Sequence, residues 1–283
     1  MDLRHLDDLA VSGFTLSVEE RAGLESGMRK RQLEEGLASI RFWGRITAAE
    51  ADYLVAYGFP PSAEYPKKQF YFCTTKSFEL QAFPDLTDEF SGKCDKLTGT
   101  LRGDPGLVVG GDDEEEEEEE EPEEEEDGEE GAPRRPKKVK FIEAHRLAHR
   151  VLAMDSDLSI VPRGAFVITP THYLAPNPSF AGLSATEAAS AASYLHFRRP
   201  VAEERRSVLD REGALRDVDF LDPVSEDEPS GVWSIRVDEG EGTALVRSLR
   251  WPGYFFVHRL GTQSFGGAYF GNGLPNRDLA FML

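Results

Sequence analysis

The chain has 283 residues, of which 40% are hydrophobic, enough for the core of one large domain or two modest ones. Its net charge is −20, but 17 acidic residues lie between Asp112 and Glu130, which leaves only −3 for the rest of the chain. A nearly balanced remainder offers no basic face for nucleic acid. There is no run of about eighteen apolar residues and no apolar segment behind a positive start, so we expect a soluble intracellular protein without a membrane span.

Cys73 and Cys94 are the only cysteines. In a reducing compartment, free cysteines are commonly buried and behave as small hydrophobic residues. We therefore predict two packed thiols rather than a disulfide.

Residues 1–38 are predicted to be helical. Leu3, Leu6 and Leu9 recur at helical spacing, and Ser17 with Glu20 forms a capping box that opens a second helix. Three glycines weaken that second helix, each by about 1 kcal/mol relative to alanine, so we expect it to depend on docking for its stability.

The hydrophobic period changes from helical to two after Ser39. Ile40–Ile46 and Asp52–Tyr57 are predicted to form a hairpin, which Gln69–Thr74 continues after a proline-rich loop. We assign the end of this region, 39–103, more loosely, with a short helix at Leu86–Phe90 and a strand at Leu97–Leu101.

The composition changes abruptly at 104–136, where glycines are followed by eight consecutive glutamates and a further acidic block. Like charges at adjacent positions repel in any compact form, so we predict an exposed, disordered insertion. It is either a solvated loop or an acidic ligand for a basic surface. The basic segment Arg134–Lys140 that follows either balances these acids or serves as a nuclear address.

Region 137–283 is predicted to begin with a helix at Phe141–Met154. Leu158–Pro162 and Ala165–Thr169 then resemble paired strands around a turn at Arg163-Gly164. A capping box at Ser184–Glu187 predicts an alanine-rich helix that continues to about Phe197, and this helix is the best candidate to cover the C-terminal sheet.

The stretch from Trp233 to Phe270 is predicted to be an antiparallel meander. Short β-branched and aromatic segments alternate there with glycine and proline turns at Asp238–Gly242, Trp251–Gly253 and Gly261–Ser264. A sheet of this length needs an apolar layer against one face.

Together these elements predict an α+β fold with two antiparallel β regions, the N-terminal hairpin unit and the C-terminal meander, covered by a few helices. The disordered acidic insertion separates the two regions, and we expect 39–103 and 137–283 to form one compact domain.

Catalytic and metal-binding patterns are missing from the sequence. His145 and His149 are four apart on the predicted helix, a spacing that can serve one metal ion, but they lack the glutamate of a zincin and are interpreted as surface histidines. The glycine-rich Gly266–Gly273 has no lysine and hydroxyl for a phosphate loop, and no G-x-S-x-G elbow is present. The residues alone therefore predict a non-catalytic, aromatic-rich module with no metal and no cofactor.

Seven collinear motifs resemble the radial spoke head protein 4/6/9 group of motile cilia and flagella. They are Phe42–Ile46 with Asp52-Tyr53, Ile160–Phe166, Gly182–Ser184, Ser193–Arg198, Gly231–Ile235, Arg247–Gly253 and Asp278–Leu283. Motifs around Phe42-Trp43-Gly44, Trp233 and Trp251 are shared by the whole group, whereas the compact length and the Phe-Met-Leu ending favour its protein 9 branch. The polyglutamate tract departs from the group's pattern.

The resemblance implies a structural subunit of the axonemal radial spoke head, which relays central-pair signals that regulate dynein-driven beating. It implies location in the cytoskeleton of the ciliary or flagellar axoneme and no enzymatic activity. The expected partners are radial spoke head proteins 4 and 6 and other head and neck subunits, with transient contact to central-pair projections. The alternative is a soluble intracellular adaptor that binds basic partners through its acidic tract.

Aromatic side chains are the candidate interface residues, because protein interfaces concentrate them. The candidates are Phe42, Trp43, Tyr53, Tyr57, Trp251, Tyr254 and Phe256, with Phe70 beside them. Since strands bury alternate side chains, a place in the core is favoured over a place in an interface for any single one of these residues.

Overall fold

A computed structural model describes residues 1–60, 68–109, 140–169, 174–201 and 220–282. The strands are β1 Ser39–Ile46, β2 Tyr53–Phe59, β3 Gln69–Thr74, β4 Ser77–Ala82, β5 Ile160–Pro162, β6 Phe166–Ile168, β7 Leu174–Pro176, β8 Tyr194–His196, β9 Trp233–Asp238, β10 Thr243–Ser248, β11 Tyr254–Arg259 and β12 Phe265–Gly271. The α-helices are α1 Val18–Glu34, α2 Asp88–Lys96, α3 Glu143–Leu158 and the single turn α4 Ala185–Ala188. 3-10 helices cover Leu3–Ser12, Ala191–Ser193, Val224–Glu226 and Leu279–Phe281.

The two predicted β regions are the halves of one eight-stranded sheet with the order β4-β3-β2-β1-β12-β11-β10-β9. Every neighbouring pair is antiparallel except β1 and β12, which run parallel and join the halves. At this junction Gly44 lies opposite Tyr269. A Cβ atom on Gly44 would lie 2.5 Å from the Tyr269 carbonyl oxygen, so the close approach of the two strands requires glycine. The predicted α+β class is confirmed.

The predicted strands of each half are confirmed where the alternation is clear. Ile40–Ile46 and Asp52–Tyr57 form the predicted hairpin as β1 and β2, and the meander forms β9 to β12. Strand β4 was not predicted. The predicted strand Leu97–Leu101 is wrong, because among its residues only Leu101 forms a bridge, to Ala48.

One face of the sheet is covered by the N-terminal 3-10 helix and α1; we call it the α1 face. Helix α1 begins at the predicted capping box, in which Ser17 and Glu20 bond each other's backbone amides. A cluster of buried apolar side chains fills this layer; it includes Leu6, Leu9, Leu24, Phe42, Leu54, Tyr71, Cys73, Phe255 and Phe270. The glycine-containing helix is therefore docked against the sheet, and its dependence on that docking for stability stays a prediction.

The opposite face, the α3 face, is covered by α3 and the short C-terminal elements. Helix α3 starts at Glu143, two residues after the predicted start, and places Leu147, Val151 and Met154 in the core with no exposed surface. These side chains recur at helical spacing, which is why the helix was readable from sequence.

The alanine-rich helix predicted from Ser184 to Phe197 is wrong. Its capping box is present, but the helix ends after the single turn α4, and β8 follows. The Tyr194 hydroxyl donates to the Ala188 carbonyl at 2.8 Å, and Tyr194–Phe197 are all buried. Burial of consecutive large side chains in a strand thus overrides the helix propensity of the alanines.

The predicted pairing of Leu158–Pro162 with Ala165–Thr169 is also wrong. β5 pairs with β8, and β6 pairs with β7. A turn does form, since the Ala165 amide donates to the Pro162 carbonyl, but the Arg163 amide donates to the Ser193 carbonyl at 2.8 Å and directs the two strands to different partners.

Most of the predicted acidic insertion, 104–136, and most of Arg134–Lys140 lie outside the described residues. Among the residues that are described, no helix has the length and apolarity needed to cross a bilayer.

Candidate interaction surface

The structure places six of the seven candidate interface aromatics inside the core of the chain. Phe42 is buried on the α1 face, and the α3 face buries the side chains of Trp43, Tyr53, Trp251, Tyr254 and Phe256, with the neighbouring Phe70. Tyr57 is half-buried beside them. Their contact with a partner stays a prediction, and their observed contacts are with the chain's own layers.

All three tryptophans of the chain donate their indole N–H to an aspartate. Trp43 donates to Asp155 Oδ1 at 3.1 Å, and Trp251 donates to Asp157 Oδ2 at 2.9 Å. Both aspartates belong to α3, while the two tryptophans come from different halves of the sheet. These bonds satisfy partly buried polar atoms and fix α3 across the junction.

On the α3 face, Lys68 forms a buried ion pair with Asp155. Its side chain is 5% exposed, and Nζ lies 2.6 Å from Asp155 Oδ2 and 2.7 Å from Ser159 Oγ. The ammonium also lies 5.2 Å from the centre of the Tyr57 ring and 5.8 Å from that of Phe197. Carboxylate, hydroxyl and ring faces together replace the water that the ammonium loses.

A pocket of about 410 Å³ adjoins Lys68. Aromatic side chains from both halves of the sheet line it, including Trp43, Tyr57, Tyr254 and Phe265. The one carboxylate among its described lining residues is Asp155, which Lys68 and Trp43 already engage. Its chemistry suits apolar contact rather than proton transfer.

A second pocket of about 360 Å³ is more polar and lies near β9. Within it His196 Nε2 is 2.8 Å from Asp227 Oδ1, and Trp233 donates to Asp227 Oδ2 at 2.7 Å. Burial alone would raise the pKa of Asp227, but the hydrogen bond and charge of His196, together with the indole N–H, hold that pKa below its ordinary value. Through Asp227, these contacts orient the side chain of His196 in β8 relative to that of Trp233 in β9.

His145 is not the surface residue that was predicted. It is 2% exposed, its ring centre lies 4.7 Å from that of Phe90, and its Nδ1 accepts the Ile142 amide at 3.2 Å at the start of α3. The Nε2 atom of His149 lies 3.5 Å from Oδ1 of Asp95. In the part of the chain that is described, no cluster of three or more metal-ligating side chains occurs.

Glu143 was missed by sequence reasoning. It is 1% exposed, and its carboxylate accepts the Tyr53 hydroxyl at 2.7 Å, the Gly103 amide at 2.7 Å and the Arg102 amide at 2.8 Å. Its position in the first turn of α3 also places a negative charge at the positive end of the helix dipole. An acid at a helix start was the only available signal, and it does not distinguish a buried carboxylate from an exposed one.

The two cysteines are free and buried, as predicted. Burial raises the pKa of Cys73 to about 12 and also raises that of Cys94. Neither thiol is therefore activated as a nucleophile.

The fold and its contacts define a class of α+β proteins in which a mixed eight-stranded sheet is enclosed between two helical layers and the motif aromatics serve packing. No family model matches the chain. It is 38% identical over 279 residues to the radial spoke head protein 9 homolog of Danio rerio, an alignment that covers 98% of this chain and 97% of the relative. It is 33% identical to the human and 32% identical to the Mus musculus radial spoke head protein 9 homolog, each over 272 residues, 96% of this chain and 95% of the relative.

Relatedness at this identity over nearly the whole of both sequences identifies a radial spoke head protein. The chain belongs to the radial spoke head protein 9 family.

Proposed function

We propose that this chain is a structural subunit of the radial spoke head in the axoneme of motile cilia or flagella. The observation that carries the proposal is the similarity to radial spoke head protein 9 homologs from end to end. Because both halves of the sheet and the helical layers fall within the aligned length, the similarity extends over the whole fold rather than over one module.

A structural rather than an enzymatic role is supported by how the polar side chains are used. Asp155, Asp157 and Asp227 each hold a tryptophan, and Glu143 holds two backbone amides and a tyrosine. These carboxylates stabilise contacts between layers, which suits a subunit that transmits force without deforming. We propose no catalytic residue and no cofactor.

The proposed partners are radial spoke head proteins 4 and 6 and other subunits of the head and neck. Through them the chain would contribute to head assembly and to the relay of central-pair signals to dynein, with transient contact to central-pair projections. The acidic tract between Asp112 and Glu130 would be repelled at short range by an acidic microtubule surface, within the Debye length of about 8 Å at physiological salt.

The test is purification of the tagged full-length chain from salt-extracted axonemes of a motile ciliated cell, with the bound proteins identified by mass spectrometry. We expect radial spoke head proteins 4 and 6 in near-constant ratio to the chain. Finding the chain in the cell body, with complete spokes assembled in its absence, would overturn the proposal.

A matched variant separates the two uses of the acidic tract. Residues 112–130 are replaced by a glycine-serine linker of equal length, which removes 17 negative charges and keeps the chain connection. Unchanged recovery of spoke-head subunits supports assembly through the folded part. Loss of every partner favours the adaptor alternative. A changed waveform with normal assembly supports a repulsive role for the tract.

A further inference from the structure

We propose that the outer edge of β9 is a strand-addition site, which pairs with an extended segment of a neighbouring spoke-head subunit in which apolar and acidic side chains alternate. This inference rests on the proposed function and adds the surface and the chemistry of the contact.

The backbone geometry of β9 leaves one row of polar groups facing outward. β9 is the last strand of the sheet, and its pairing with β10 is antiparallel. Just before it, the Leu249 amide donates to the Val232 carbonyl at 2.8 Å. Because bonded and non-bonded pairs alternate along an antiparallel ladder, the amides and carbonyls of Trp233, Ile235 and Val237 point away from β10. Among the described residues, no backbone hydrogen bond reaches them.

The opposite edge of the sheet is protected. Helix α1 packs along β4, and the Arg31 guanidinium donates to the Leu80 carbonyl at 2.6 Å. The helix lies so close that a Cβ on Gly27 would be 2.5 Å from the Phe78 carbonyl. Proteins usually cover, charge or shorten an exposed edge to prevent pairing with other chains. In the described parts of the chain, one edge has such cover and the edge at β9 has none.

The side chains beside the open edge specify the occupant. On the α3 face, Trp233, Ile235 and Val237 are partly buried against the core and present apolar surface. On the α1 face, Arg236 and Arg247 are exposed diagonal neighbours, and neither has an ion pair with a described residue. A strand added at this edge places successive side chains on these two faces in turn, so apolar and acidic residues must alternate along it.

The acidic turn after β9 limits where the acids of the partner can lie. Asp238 is at the end of the strand, and its Oδ1 accepts the amides of Gly240 and Glu241. Glu239 and Glu241 are exposed next to it. The partner's carboxylates therefore fit opposite the middle of β9, near Arg236, rather than at its C-terminal end.

The first test removes one outward backbone donor. Ile235→Pro deletes an N–H that does not bond β10, at an edge position where proline is tolerated. We expect the full-length variant to remain folded and to retain radial spoke head proteins 4 and 6 about tenfold less well than the wild type in the axonemal purification. The double variant Arg236→Glu with Arg247→Glu should weaken retention comparably. Its matched control is Arg29→Glu with Arg277→Glu, which changes the charge equally at exposed sites elsewhere.

Residue-resolved amide hydrogen exchange keeps the test independent of stability. In the isolated chain the amides of Ile235 and Val237 should exchange faster than those of Ser234 and Arg236, which face β10. In the purified assembly, the outward amides should become protected.

The outcomes separate this inference from the proposed function. If the wild-type chain retains no spoke-head subunit, the proposed function fails. If the wild type and all variants retain them equally, or the outward amides stay unprotected in the assembly, the edge inference is overturned and the proposed function stands. Protection of these amides in a dimer of the isolated chain would make the occupant a second copy and also overturn the inference.

Discussion

Asp155 and Asp157 are two residues apart in α3, and each accepts the indole N–H of a tryptophan from a different half of the sheet. Trp43 comes from β1, and Trp251 comes from the turn before β11. The parallel junction of β1 with β12 is thus reinforced by a helix that holds both halves. This cross-connection gives a physical reason for the tryptophan motifs.

The two aspartates should differ in their effect on stability, because their cationic partners differ in burial. Asp155→Asn leaves the Lys68 ammonium, 5% exposed, without its carboxylate, which should lower the free energy of unfolding by about 3–5 kcal/mol. Asp157→Asn is the control, since its partner Arg250 is 49% exposed, and it should cost about 1 kcal/mol. Urea unfolding followed by tryptophan fluorescence measures both. Equal losses in the free energy of unfolding would show that the buried ion pair of Lys68 with Asp155 contributes no more to stability than the exposed pair of Arg250 with Asp157.

The sequence predicted those elements whose signals are local. The capping box at Ser17 depends on residues three apart, and the β-branched and aromatic alternation of the meander depends on neighbours, so both were readable. The parallel junction at Gly44 brings together residues more than two hundred positions apart, and no local pattern encodes it. The helix predicted for the alanine-rich segment was wrong for the same reason. Pairing of β8 with β5 joins residues far apart in the sequence, and it outweighs the local helix propensity of the alanines.

The sequence indicated which type of side chain forms contacts, but not where on the molecule a partner could bind. Aromatic density indicated contact, yet residues such as Phe42, Tyr53 and Phe256 satisfy that contact within the chain. An open backbone edge has no composition of its own, so β9 could be recognised only after the strand order was known.

We expect the contribution of Glu143 to stability to depend on its negative charge and not on the shape of its side chain alone. Glu143→Gln places an amide nitrogen among three donors, the Tyr53 hydroxyl and the amides of Arg102 and Gly103, so at least one donor loses its acceptor. The free energy of unfolding should fall by about 1–3 kcal/mol.

Tyr53→Phe is the matched control for Glu143, because it removes one donor and leaves the carboxylate two backbone amides. It should cost only about 1 kcal/mol, and the double variant should lose less than the sum of the single losses. Additive losses in denaturant unfolding would show that the tyrosine and the carboxylate do not interact.

The junction between β1 and β12 should be intolerant of a single methyl group. Gly44→Ala would place its Cβ 2.5 Å from the Tyr269 carbonyl oxygen, which must separate the strands and should cost about 3 kcal/mol. Gly92→Ala in α2 meets nothing within 4 Å and should leave stability unchanged or raise it by up to about 1 kcal/mol. Thermal unfolding of the two variants compares them. A small effect at Gly44 would mean that the halves do not depend on this close pairing.

His258 should make stability fall as the solution becomes acidic. Its side chain is fully buried, Nε2 accepts the Leu183 amide at 3.0 Å, and Nδ1 lies 3.1 Å from the Ser264 carbonyl, so the proton is on Nδ1 in a neutral ring. Burial lowers the pKa of His258 below its ordinary value of 6.5. Above pH 6.5 the His258 ring is neutral in both the folded and the unfolded state, so its titration does not lower the free energy of unfolding. As the pH falls below 6.5, the unfolded chain gains a proton that the folded chain resists, so stability is lost until the lowered pKa is reached.

The comparison variant is His258→Gln, whose amide oxygen can accept the Leu183 amide and does not titrate. At pH 8 the variant should be the less stable of the two, because the ring's contacts with Phe180 and Phe265 are lost. As the pH falls below about 6.5, that difference should shrink, by at most about 1.36 kcal/mol per pH unit. Urea unfolding at half-unit pH steps gives the two curves. Parallel curves across this range would mean that His258 takes up its proton as readily in the folded protein as in the unfolded chain.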